Sequence, residues 1–232
     1  MEPTATDHTA ADHMTADPGT ARTAPAPDPH RITSPEWLEE VLGGPPHPDI
    51  IAKSTPYTTP LVREFIRHAR FFVLATADAD GRCDSSPRGD LTSVVRMPDE
   101  RTLILPDRPG NRRGDSYRNI LTNPHVGILF IVPGQEEVVR VNGTATLTTD
   151  PELCAELALS GRPAQLALVV RIEEVYTHCA RAMLRGKLWR PDTWAAPQEV
   201  PALREMIHEQ LGLSVPQDAP PARTEEYRKH LY

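Results

Sequence analysis

From residue 71 onward, short apolar runs alternate with turn signals at a spacing that suits strands rather than helices. Phe71 to Thr76 is rich in strand-favouring residues, Asp80-Gly81 is a strong hairpin turn, and Arg82 to Arg88 returns as the partner strand. Ser93 to Met97 and Thr102 to Pro106 read as a second hairpin around Pro98-Asp99-Glu100. A polar loop and a short helix over Ser116 to Leu121 lead to a third hairpin, Val126 to Val132 with Val138 to Leu147, which turns near Pro133-Gly134. Pro151 opens a helix to about Leu159, and Ala167 to Val175 is one last strand rich in Val and Ile.

Upstream the period is helical. Ser34-Pro35-Glu36-Trp37 offers a capping serine and a proline suited to the first helical position, and the stripe Trp37, Leu38, Val41 and Leu42 stops at Gly43-Gly44. Pro45, Pro46 and Pro48 predict a stiff connector, and Thr59-Pro60 starts a helix with Leu61, Val62, Phe65 and Ile66 on one face. Residues 1 to 31 hold almost no large apolar side chain, so they cannot bury enough surface to offset their ordering entropy and are expected to form a disordered tail.

Six or seven strands in hairpin order, broken only by short helices, predict a mainly β fold with flanking helices, built as a closed or nearly closed antiparallel barrel. A doubly wound sheet needs strands alternating with helices, and neither GxGxxG nor GxxxxGK[ST] occurs.

Composition narrows the function. The 232 residues carry a net charge of −7, which disfavours nucleic-acid binding driven by overall charge, and no apolar run approaches the roughly 18 to 20 residues of a bilayer helix. Cys83, Cys154 and Cys179 are odd in number and far apart, which encodes neither a disulfide framework nor a four-ligand zinc site. With no basic region and apolar run at the N-terminus, a reducing cytoplasm is the simplest expected location. Against the acidic background, the window from Arg82 to Arg118 holds eight Arg (Arg82, Arg88, Arg96, Arg101, Arg108, Arg112, Arg113, Arg118) against six acids, which makes it a candidate anion site.

Within that window, Leu105 to Ser116 is a strand end, a Gly-containing loop and a helix start. Backbone N–H groups there, with Asn111, Arg112 and Arg113, can hold a phosphate; the bland alternative is a solvated turn with its arginines in surface ion pairs. Cys83 to Asp90 carries more small polar residues than packing requires. Its Pro and Gly predict that pairing ends and the strand bends there, with Arg88 either on an anion or paired to Asp84 or Asp90.

Taken in order, Phe72 to Thr76, Ser85-Ser86-Pro87-Arg88-Gly89-Asp90, Leu103 to Asp107 with Asn111-Arg112-Arg113 behind it, Asn123-Pro124-His125-Val126-Gly127-Ile128-Leu129-Phe130 and Val139-Arg140-Val141-Asn142-Gly143-Thr144-Ala145 resemble the pyridoxamine 5′-phosphate oxidase-like, FMN-binding split-barrel family. The resemblance spans about residues 71 to 194. It implies a six- to seven-stranded antiparallel split β-barrel, organised as a tail (1–31), an N-terminal helical segment (32–69), an FMN-binding barrel with helical insertions (70–194) and a C-terminal helix and tail (195–232). It further implies a homodimer with FMN at the subunit interface, its phosphate on Asn111, Arg112 and Arg113 and its ring near Ser86, Arg88 and Gly89, with Asp107 and Arg108 at the adjacent strand end. The implied function is an FMN-dependent oxidoreductase acting on a small molecule, with no nucleic-acid or membrane partner. The alternatives are a reductase of the same fold using F420, or a non-catalytic flavin- or haem-binding protein with His125 or His178 as axial ligand.

The segment from His178 to Trp189 departs from the substrate-gripping C-terminal segment of the authentic oxidases, so pyridoxamine phosphate is not assigned as substrate. It reads as a helix that puts His178, Arg181 and Arg185 on one face, which makes these residues and Trp189 substrate candidates; a surface helix with Trp189 as a packing anchor is the competing reading.

Overall fold

The computed structural model describes residues 28–90 and 95–214, in a chain that divides into two compact units, Met1–Pro46 and His47–Tyr232. The tail expected over residues 1 to 31 lies almost wholly outside the described residues. In the first unit, α1 (Pro35–Leu42) starts as its sequence predicts, with Pro35 in the first turn and the Ser34 hydroxyl accepting the Trp37 N–H, and ends where Gly43 turns left-handed.

In the second unit the connector holds one element that the proline spacing hid. Pro48 opens a short helix, α2 (Pro48–Ala52), because a proline costs nothing at the first helical position. Thr59 caps α3 (Pro60–His68), whose Ile66 is fully buried against the sheet.

The sheet has six strands, all paired antiparallel: β1 (Phe71–Ala77), β2 (Cys83–Gly89), β3 (Thr102–Pro106), β4 (His125–Ile131), β5 (Val138–Thr148) and β6 (Ala167–His178). Their order, β2-β1-β4-β5-β6-β3, makes β2 and β3 the two edges, and the sheet curls into a split barrel. Alternate residues of β1 and β4, and of most of β5 and β6, face inward. Phe72 and Leu74 of β1, Ile128 and Phe130 of β4, Val139 and Val141 of β5 and Val170 and Ile172 of β6 form one core with Ile66 and with Ile120 of α4 (Asp115–Thr122). Phe72 and Phe130 are direct cross-strand partners, their ring centroids 5.4 Å apart.

One expectation is corrected. Pairing does not end in Ser85 to Gly89: β2 stays in register with β1, Pro87 opposite Val73 and Gly89 opposite Phe71. An edge strand bonds to one neighbour only, so the missing N–H of Pro87 breaks nothing. The hairpin expected over 93 to 106 is described only at the Arg96 and Ile104 bridge, the start of its first arm lying outside the described residues. After the helix α5 (Pro151–Glu156), β6 runs past Val175 to His178.

Among the described residues no helix is long and apolar enough to cross a membrane. The register irregularity between β5 and β6 falls at Asn142 and Gly143, where Glu173 of β6 is the extra residue and a Cβ on Gly143 would sit 2.1 Å from the Arg171 carbonyl oxygen. Gly143→Ala therefore forces β5 and β6 apart, at an expected cost of about 2 kcal/mol, read as a lower urea midpoint with unchanged slope.

Candidate functional site

The two edge strands end up on opposite sides of one cavity. Its volume is about 810 Å³, and its walls are β2, the end of β3, the loop 107–114, the start of α4 and the residues just before β6. This size lies within the range of small-molecule and cofactor sites. α4 is tied to β2 and β1: buried Ser116 donates to Asp84 Oδ2 at 2.5 Å, and Asn119 Nδ2 donates to Thr76 Oγ1 at 3.0 Å.

Two arginines in the wall are each held by a carboxylate. In β2, all of which from Asp84 to Gly89 lines the cavity, the alternation makes Asp84, Ser86 and Arg88 the half-buried residues and Ser85 and Pro87 the exposed ones. Arg88 Nη1 donates to the Tyr117 hydroxyl at 2.8 Å and lies 3.7 Å from Asp107 Oδ1; Tyr117 in turn donates to Asp107 Oδ1 at 2.5 Å. Arg88 also stacks its guanidinium over the Tyr117 ring, 5.0 Å from the centroid. Arg108 Nε donates to Asp90 Oδ2 at 2.8 Å, and that carboxylate is only 2% exposed. Arg88 is thus paired to neither Asp84 nor Asp90, since Asp84 serves Ser116 and Asp90 serves Arg108.

Among the described residues, each guanidinium keeps a buried N–H without a partner, Arg88 Nε and Arg108 Nη2. A buried unmet donor is costly, so an electronegative group brought into the cavity would relieve both.

Burial, and then the hydrogen bond to Asp107, push the Tyr117 phenol well above its ordinary value. The folded protein holds this proton more tightly than the unfolded chain does. The stabilisation is therefore complete below about pH 10 and is lost as pH rises above it. In an alkaline titration of tyrosinate absorbance we expect a late-ionising tyrosine in the native protein that is missing from Tyr117→Phe.

The loop ahead of α4 has a different chemistry. Arg112 and Gly114 both adopt left-handed backbone, φ 60° and 67°, and Gly114 caps the helix without a side-chain acceptor. The first N–H groups of α4 therefore have no capping side chain, while the Asn111 side-chain Oδ1 accepts the Arg113 N–H at 2.9 Å. A left-handed residue beside a helix start is a concavity for an anion. The Arg113 side chain is 77% exposed and pairs with Asp115, so part of the surface ion-pair reading also holds.

The cavity thus brings together Ser86, Arg88, Gly89, Asp107, Arg108, Asn111, Arg112 and Arg113. It does not bring in His178, Arg181, Arg185 or Trp189. His178 is the last residue of β6, paired to Val138, and only Arg181–Arg185 is helical (α6), so His178 shares no helix face with the two arginines. The strand propensity of the Val-Tyr-Thr run extends β6 to this point. Arg181 Nε donates to the Cys179 sulfur, and Trp189 Nε1 donates to the Gln135 carbonyl in the β4–β5 turn, the role of a packing anchor. The histidines considered for haem, His125 and His178, are both exposed and outside the cavity wall.

Sequence reasoning missed Tyr117, Ser116 and Asp84. The available signal was their placement: Ser116 and Tyr117 follow the glycine cap in the first turn of α4, and Asp84 shares the strand face of Ser86 and Arg88.

Comparison with known proteins shows the family. Residues 58–179 match the sequence model of the family described as pyridoxamine 5′-phosphate oxidase. A curated relative, the pyridoxine/pyridoxamine 5′-phosphate oxidase of Rubrobacter xylanophilus, is 33% identical over 148 residues, covering 64% of this chain; the chain spans only 55% of that relative's length. Among solved structures, a candidate pyridoxamine 5′-phosphate oxidase from Lactobacillus delbrueckii is 25% identical with TM-score 0.44, over 53% of this chain and 95% of that one. HupZ from Group A Streptococcus is 20% identical with TM-score 0.41, over 52% and 93%.

Proposed function

Since the chain belongs to the pyridoxamine 5′-phosphate oxidase family, we propose that it is an FMN-dependent oxidoreductase whose cofactor lies in the cavity between β2, the 107–114 loop and α4. The observation that carries this reading is the pairing, in one cavity, of an uncapped helix start beside left-handed Arg112 with two acid-held arginines that each keep a buried, unmet donor.

These residues fit the group. A phosphomonoester suits the N–H groups at the start of α4, with Arg112 and Arg113 as its counter-charges and Asn111 fixing the turn through the Arg113 N–H. The Arg88 and Arg108 donors suit the electronegative edge of a flavin ring. When bound, the flavin supplies hydride and electron transfer. The chain holds Arg88 in place through Tyr117 and Asp107, holds Arg108 through Asp90, and directs positive charge to the place where a reduced ring carries negative charge. The partner subunit of a homodimer would close the open side.

The test is the chromophore. The protein as purified should show a two-band flavin spectrum, release FMN on denaturation, and bleach with NADH, NADPH or reduced F420, whichever is its donor. A Soret band, or a colourless protein that takes up only F420, would overturn the assignment.

A further inference from the structure

Beside the large cavity lies a second one of about 260 Å³, walled by Leu159, Arg162, Pro163 and Ala164 and sharing Asp107, Arg108, Pro109 and Gln165 with the first. Its frame is rigid. Leu159 and Arg162 exchange both backbone hydrogen bonds, 2.9 and 3.0 Å, around Ser160-Gly161, and both turn residues are left-handed, φ 51° and 77°. Such a two-residue turn fits a tight hairpin, but serine adopts that backbone reluctantly, and strain of this kind persists where the surroundings enforce it. Ala164 N–H donates to the Cys154 carbonyl of α5, and Asp107 N–H to the Leu166 carbonyl, both at 3.0 Å, so the wall is tied at both ends.

The chemistry of the chamber is that of an acid with a hydrocarbon body. Leu159, Pro163 and Ala164 offer apolar surface. The Arg162 guanidinium has no hydrogen bond or ion pair among the described residues, and Arg108 keeps Nη2 unpartnered after giving Nε to Asp90. Asp107, the nearby carboxylate, is already engaged by Tyr117 and Arg88. The volume is that of a fragment and is too small for a whole cofactor.

We propose that this chamber is the substrate subsite and that the substrate is a small organic acid, its carboxylate held by Arg162 and its hydrocarbon against Leu159, Pro163 and Ala164. The inference rests on the flavin reading of the large cavity, because it places the substrate next to the ring edge, beside the lining the two cavities share.

The probe is 4-fluorobenzoate, followed by fluorine NMR line width on FMN-saturated protein, with FMN affinity measured in the same samples. Saturable broadening is expected. The neutral 4-fluorobenzyl alcohol should bind at least about tenfold more weakly, and Arg162→Gln should weaken the acid by at least about tenfold, the loss expected of one charge-assisted hydrogen bond. Leu159→Trp should abolish binding by filling the chamber. Both positions lie in a surface hairpin, and unchanged FMN affinity would show that the fold is intact. Absence of saturable binding, equal binding of acid and alcohol, an unaffected Arg162→Gln, or displacement by inorganic phosphate as effective as by unlabelled benzoate would each overturn the subsite. If FMN itself does not bind, the same series on the cofactor-free protein decides the chamber separately. Acid binding that is lost in Arg162→Gln would uphold the subsite while the flavin reading falls, and FMN binding without acid binding would do the reverse.

Discussion

Replacing Arg112 and Arg113 together by Ala should weaken FMN binding at least about a hundredfold and leave riboflavin binding nearly unchanged. Two charge-assisted hydrogen bonds to phosphate, at about 1.5 to 3 kcal/mol each, amount to about 3 kcal/mol or more, which is the stated factor in affinity. Arg113 has to leave Asp115 to reach a phosphate, and its exposure makes that exchange inexpensive, because an exposed ion pair is worth little. Riboflavin has the ring and ribityl chain but no phosphate, so it reports any general damage to the cavity. Fluorescence titration of both ligands against both proteins gives the comparison. Equal losses for the two flavins would assign the effect to the fold and remove these residues from the phosphate site.

Asp90→Ala should cost about 3 to 5 kcal/mol of folding free energy, the largest stability loss expected at the site. The Asp90 side chain is 2% exposed and accepts from Arg108, itself only 18% exposed, so the substitution leaves a guanidinium buried with no charge partner. Replacing both residues by apolar ones of similar size should recover much of the loss, since the penalty lies in the orphaned charge. Urea unfolding of Asp90→Ala and of the double variant measures both. A loss below about 1 kcal/mol for Asp90→Ala would show that Arg108 finds other solvation, and its role as a held donor would fall.

The barrel was legible because strand period and turn chemistry agree along most of it. Phe71 to Thr76, Asp80-Gly81 and the Val-rich runs each point to one local structure, and the observed registers follow them. Where local rules mislead, the reason is position in the sheet. Pro87 and Gly89 argue against a strand, yet an edge strand tolerates them, and edge position is a property of the whole topology. His178 was assigned to a helix because a spacing of three or four residues can be counted in any segment, whereas pairing with Val138 is set by β5. Pro48 looked like part of a connector because one proline serves a stiff linker and a helix start equally well.

The site divides in the same way. Asn111, Arg112 and Arg113 are readable as a unit because a strand end, a glycine loop and a helix start are all local signals. Tyr117 was not readable, since its value comes from standing between Arg88 and Asp107, residues brought together only when the two edges of the sheet close on α4. Pairing partners were also beyond reach: six acids and eight arginines in the window from Arg82 to Arg118 allow many combinations, and Asp84, Asp90 and Asp107 are sorted by the strand face and loop each occupies.

The central claim is that the helix start beside Arg112 holds the phosphate of a flavin. Titrating the unmodified protein with FMN and with riboflavin, by quenching of flavin fluorescence at one ionic strength, tests it most directly. The account predicts that FMN binds at least about a hundredfold tighter, the difference made by charge-assisted phosphate contacts. Equal affinities, or no binding of either flavin, would contradict it.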